Sequence, residues 1–213
     1  DAILRGGGLF VYRHLPDPNE TETIEVTISD TEFTYNNSEE LGGGLWGKNN
    51  HLDLQRSQFV GNTAPSGGGL MTVQSNLTMA DGLFVGNQAT GKVPTFQMAL
   101  DSQTGFEFAI VSGLFEAQQD YHPKVVEGVG GGLCLVTTNT WMVDTRILDN
   151  TSEGVSGGGA GLAIKGGIED VLTQNLHNCL IVGNTSENHG GGVKIMTYAQ
   201  PRFDNCTIAD NST

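Results

Sequence analysis

Six runs of three glycines punctuate this chain, at Gly6–Gly8, Gly42–Gly44, Gly67–Gly69, Gly130–Gly132, Gly157–Gly159 and Gly190–Gly192. Glycine loses more conformational entropy on ordering than any other residue, so geometry must demand such runs. Five of them lead straight into an aliphatic residue: Leu9, Leu45, Leu70, Leu133 and Val193. The other continues through Ala160 and Gly161 to Leu162. A second mark recurs between the runs, an apolar residue three positions before an asparagine. It reads Phe33/Asn36, Phe59/Asn62, Phe84/Asn87, Ile147/Asn150, Ile181/Asn184 and Ile208/Asn211. Phe115/Gln118 is a degenerate copy with no glycine run upstream, and successive amides stand 25 to 34 residues apart.

Aligning the copies on that amide exposes further columns. Eight residues before it stand Ile28, Leu54, Met79, Ile110, Met142, Leu176 and Phe203, all apolar. Six before it stand Asp30, Arg56, Asp81, Ser112, Asp144, Asn178 and Asn205, all polar. Thr31, Ser57, Gly82, Gly113, Thr145, Cys179 and Cys206 follow, all small. The alternation changes phase between the polar and small columns, which predicts a strand, a bend and a second strand. Helical spacing does not persist anywhere. Repeats of this length with short strands and corners predict a parallel β-helix, each repeat forming one coil. A lone coil buries about four apolar side chains, at about 1.5–3 kcal/mol each, against about 1–2 kcal/mol per ordered residue. Stacking on neighbours is therefore obligatory.

These motifs resemble the polymorphic outer membrane protein repeat, whose marks are Gly-Gly-Ala-Ile-type and Phe-x-x-Asn elements. The first half maps onto Gly43–Leu45, Gly68–Leu70, Gly131–Leu133 and Gly191–Val193, the second onto Phe33–Asn36, Phe59–Asn62 and Phe84–Asn87. A third glycine largely replaces the family's alanine, and nothing here resembles its C-terminal membrane barrel. The resemblance implies a surface or secreted scaffold with adhesive or fibre-forming use. The expected fold is thus all-β: a right-handed, single-stranded parallel β-helix of about seven coils. It spans 1–213 as one segment of a longer solenoid, with partners stacked end to end. Loop insertions are expected at 13–23, 88–105, 119–129 and 163–174.

Charge narrows the partners. The chain carries 24 acidic and 10 basic residues, a formal net charge of −14. Nucleic acid and anionic membranes both need a basic patch, so neither is expected to bind. No apolar run approaches the roughly 18 residues of a spanning helix. Surface glycans or partner proteins remain as ligands, and an extracellular or cell-surface location fits the seven sequons at Asn19, Asn36, Asn76, Asn150, Asn184, Asn205 and Asn211.

The repeated amides are expected to form a structural ladder: Asn36, Asn62, Asn87, Gln118, Asn150, Asn184 and Asn211. A ladder asparagine cannot also carry a glycan, which leaves Asn19 and Asn76 as glycosylation candidates. Insertions are where specialisation concentrates, and Tyr121, His122 and Lys124 are candidate partner contacts there. No catalytic residue, cofactor or metal site is assigned. His189–Gly192 matches an esterase oxyanion loop, but the five other glycine runs lack the preceding His, so this run is read as structural. The alternative function is a carbohydrate-active β-helix enzyme, either a polysaccharide lyase or a pectin hydrolase. It would need clustered acids, for which Asp30, Asp81 and Asp144 share a column, and Asp101 and Glu107 lie near His122 and Lys124 in sequence. Cys179 and Cys206 share the small column on adjacent coils. Parallel Cβ vectors would strain a bond between them, so free thiols are expected.

Overall fold

The computed structural model describes residues 6–13, 24–91, 129–154, 157–167 and 172–213. Among them every regular element is a strand, and strands pair in parallel with the equivalent strand one coil on. Four sheets result. The first comprises Leu9–Tyr12, Leu45–Lys48, Leu70–Val73, Leu133–Val136, Leu162–Lys165 and Val193–Met196. The second comprises Ile24–Ser29, Asn50–Gln55, Asn76–Ala80, Asn139–Val143, Gln174–His177 and Arg202–Asp204. The third comprises Glu32–Thr34, Gln58–Val60, Leu83–Val85, Arg146–Leu148, Leu180–Val182 and Thr207–Ala209. Short strands at Thr63–Ala64, Gln88–Ala89, Thr151–Ser152 and Thr185–Ser186 make the fourth. This is a parallel β-helix.

Corners are set by residues that tolerate the left-handed region. Between the second and third sheets Asp30, Arg56, Asp81, Asp144, Asn178 and Asn205 all take φ between 49° and 53°. Asp and Asn bear that conformation more easily than other non-glycine residues, which explains the polar column. In the run at Gly42–Gly44 each glycine has its own task. Gly42 has φ +59°, a Cβ on Gly43 would lie 2.3 Å from the Gly68 carbonyl oxygen, and one on Gly44 would lie 2.9 Å from the Phe59 ring. The fifth coil shows that these positions, not the glycine run, define the corner. There the residues in register are Gly159, Ala160 and Gly161, since Leu162 pairs Leu133 and Gly132 donates to the Ala160 carbonyl.

The lumen is packed by in-register columns: Leu45, Leu70, Leu133 and Leu162 from the first sheet, Leu54, Met79, Met142 and Leu176 from the second. In the third sheet the Phe33, Phe59 and Phe84 rings stack at centroid distances of 4.7 and 4.6 Å, and Ile147 and Ile181 continue the column. The first sheet is apolar on its outer face as well. Trp46, Met71, Cys134 and Ala163 point away from the lumen yet are buried in a second cluster with Leu41, Val73, Val129 and Val136.

Two expectations need correction. The described residues build six coils, and the coil expected around Gln118 does not lie between the third and fourth. Phe84 pairs Ile147 directly, Met79 pairs Met142, and Ala89 pairs Ser152. The insertion bounds also shift. Gln88–Ala89 and Leu162–Lys165 are strand, Gln174 opens another, Arg13 donates its N–H to the Lys48 carbonyl, and Val129 bridges Gly158. Parts of the expected insertions 13–23, 88–105, 119–129 and 163–174 therefore belong to the coils, because residues with the coil pattern were counted as loop. Of the expected insertions, 14–23, 92–105, 119–128 and 168–171 lie outside the described residues.

Candidate functional surfaces

The amide column is a continuous ladder. Asn62 donates from Nδ2 to Asn87 Oδ1 at 2.9 Å, and its main-chain N–H reaches the same oxygen at 3.0 Å. Its other amide hydrogen goes to the Phe33 carbonyl one coil back, at 2.8 Å. Asn87 repeats this pattern onto Asn150 and Phe59, Asn150 onto Asn184 and Phe84, and Asn184 onto Asn211 and Ile147. Asn36 starts the ladder by donating to Asn62. Each buried oxygen accepts two bonds and each buried amide nitrogen gives at least two, so no polar atom in the column bears an uncompensated desolvation cost. Gln118 lies outside the described residues, and the direct Asn87–Asn150 bond leaves no ladder step for it between them.

The ladder also sorts the sequons. Asn150 and Asn184 are fully buried with both amide hydrogens engaged, and half-buried Asn211 donates to the Ile181 carbonyl. Exposed Asn205 donates to Asn178. Asn76 is different: it lies on the outer face of the second sheet, and its Oδ1 accepts from Asn139 Nδ2 at 3.0 Å. Its own Nδ2 has no protein partner among the described residues. Asn19 lies outside them, as do Tyr121, His122, Lys124, Asp101 and Glu107.

The polar corner is exposed. Arg56 clasps Asp30 on the coil before it through two bonds of 2.6 and 2.7 Å. Those bonds hold the Asp30 carboxyl below its ordinary value and raise the Arg56 guanidinium above its own. With no coil between the third and fourth, Asp81 and Asp144 become immediate neighbours, and Asn178 donates to Asp144 from the far side. All of these side chains are exposed at the corner between the second and third sheets. No group of three or more His, Cys, Asp or Glu is placed to hold a metal ion among the described residues.

The three cysteines carry no disulfide. Cys179 donates its main-chain N–H to Cys206 Sγ at 3.4 Å, so the stacked pair forms a weak ladder of its own. Burial pushes the Cys134 thiol up to about 12 and Cys179 up to about 11. Both are protonated at neutral pH, and a thiol in that state is a poor nucleophile and metal ligand.

One surface residue escaped the column reading. Trp141 occupies the outward column Thr27, Asp53, Thr78, Trp141, Asn175 and Arg202 of the second sheet, otherwise wholly polar, and is 53% exposed. The signal was present as a break in residue type one position before Met142. Comparison with known proteins returns no matching family model and no significantly similar curated protein or solved structure.

Proposed function

We propose that the chain is an extracellular or cell-surface structural and adhesive β-helix module whose ends abut further coils. The observation that carries this reading is the open face of the sixth coil. Its lumen residues Ile195 and Ile208 are 53% and 49% exposed, whereas their column partners Ile164 and Ile181 are fully buried. A further coil in the same register would cover them and extend the ladder beyond Asn211. Uncovered parallel edges and apolar lumens associate. The resemblance of the glycine-run and Phe-x-x-Asn motifs to the polymorphic outer membrane protein repeat supports the surface location.

Sedimentation velocity over a concentration series tests the end contacts. The chain should associate as concentration rises, and Ile195→Glu with Ile208→Glu should keep it monomeric. A chain that stays monomeric throughout, or a variant that associates equally well, overturns the reading. Enzyme function has one observation in its favour, the adjacency of Asp81 and Asp144. An inverting hydrolase needs carboxyls separated across a bound sugar, and these two stand side by side on an edge. Release of reducing ends from a pectin or glucan that Asp81→Asn abolishes would establish it.

A further inference from the structure

Trp141 is an indole laid open on a strand interior, and its surroundings are selective. Thr78 and Asn175 flank it on the neighbouring strands, Asn139 and Val143 lie two residues either side, and Asn76, Ala80 and His177 sit diagonally. No outward position bordering it carries Asp, Glu, Lys or Arg. In a chain with a formal net charge of −14 that is, among the described residues, an uncharged island. A protein contact site would normally place further apolar side chains around such an aromatic anchor. Here short amides and hydroxyls dominate.

Their hydrogen bonds are only partly made internally. Asn139 Nδ2 is bound to Asn76 and its Oδ1 accepts the Thr173 N–H at 2.9 Å, so that side chain is fixed. Thr78 Oγ1 and His51 Nε2 lie 3.4 Å apart. Among the described residues, Asn76 Nδ2, the whole Asn175 amide and the Trp141 Nε1–H have no protein partner. The platform thus combines one aromatic face with outward donors and acceptors held on a rigid sheet. Identical register from strand to strand keeps these groups in line at about 4.8 Å steps.

We infer that this face binds an uncharged, extended oligosaccharide, with the apolar face of one sugar ring lying on the Trp141 indole. A pyranose presents C–H bonds on one face and hydroxyls at its rim. The C–H hydrogens are attracted to the electron-rich face of the indole. The rim hydroxyls meet the Asn175 amide, which donates through Nδ2 and accepts through Oδ1 in place of water, and Asn76 Nδ2, which donates. A column of groups in register along successive strands suits an extended ligand, so β-1,4-linked chains fit and the curled α-1,4-linked chains do not. Acidic polysaccharides are repelled by the surrounding negative field. This deepens the adhesive part of the proposed function by naming a ligand class. It relies on the end-stacking part for nothing.

The two tryptophans make the test direct, since Trp46 is fully buried and Trp141 is not. Chitotetraose and cellotetraose should shield the intact chain's exposed tryptophan from acrylamide quenching, while maltotetraose and tetragalacturonate should not. Trp141→Ala should abolish binding measured by calorimetry. Trp141→Phe should retain a weakened response, and Asn175→Ala should weaken affinity on the order of tenfold. Thermal melts of all three variants should overlay the wild type. Absence of shielding by both β-linked probes, equal shielding by maltotetraose, or shielding that depends on protein concentration alone would overturn the inference. Sedimentation results on the end contacts stand independently of that outcome.

Discussion

Trp46 and Trp141 both point away from the lumen, on adjacent sheets of the same solenoid, yet one is fully buried and the other is 53% exposed. The difference lies in the company each keeps. Trp46 stacks against Phe10 at a centroid distance of 4.9 Å and shares its column with Met71 and Cys134. The Trp141 column is polar on both sides. An outward position on a β-helix is therefore not a solvent position by default. A parallel sheet buried on both faces has apolar residues in succession, as Leu133–Val136 does, and one wetted on its outer face alternates, as Asn139–Val143 does.

Replacement of each tryptophan breaks or sharpens that contrast. Trp46→Ala should cost about 3–5 kcal/mol in urea denaturation, the range for emptying a buried aromatic site. A loss under about 1 kcal/mol would mean the outer face of the first sheet is wet. The lumen supplies a reference of similar size. Asn87→Leu removes the acceptor of two Asn62 donors and the Nδ2 that donates to Asn150 and to the Phe59 carbonyl, so a loss of about 3 kcal/mol is expected.

The dryness of the Trp46 column can also be read by pH. Cys134 binds its proton more tightly folded than unfolded, its value moving from 9.0 to about 12. As pH rises past 9 the unfolded thiol ionises first, so this contribution to stability is complete below that point and is lost on the way to about 12. The wild type should lose up to about 1.4 kcal/mol per pH unit there relative to Cys134→Ala. Parallel denaturation profiles for the two proteins would place water at the thiol. The smallest effect belongs to Trp141→Ala, which should change stability by less than about 0.5 kcal/mol.

Legibility followed the same division. The asparagine column could be read because every coil sets the same demand, a buried amide with two donors and two accepting sites. The αL corner at Asp30, Asp81 and Asn178 was visible as polarity, and its backbone conformation supplies the cause. Gln118 misled because its amide and the preceding Phe115 imitate the column locally. Nothing local reports that Asn150 already occupies the next step above Asn87. Likewise the glycine run at 157–159 drew attention two residues early, since the in-register corner admits Ala160 at its middle position.

By itself the sequence determined the period, the lumen columns and the parallel stacking, because one register position meets one environment in each coil and selection for that environment repeats. Which coils touch, that Asp81 and Asp144 became neighbours, and that one outward tryptophan is dry while another is open were decided only by the tertiary structure. Those properties depend on what lies against a surface from elsewhere in the chain, and such contacts leave no periodic trace in the residues that make them.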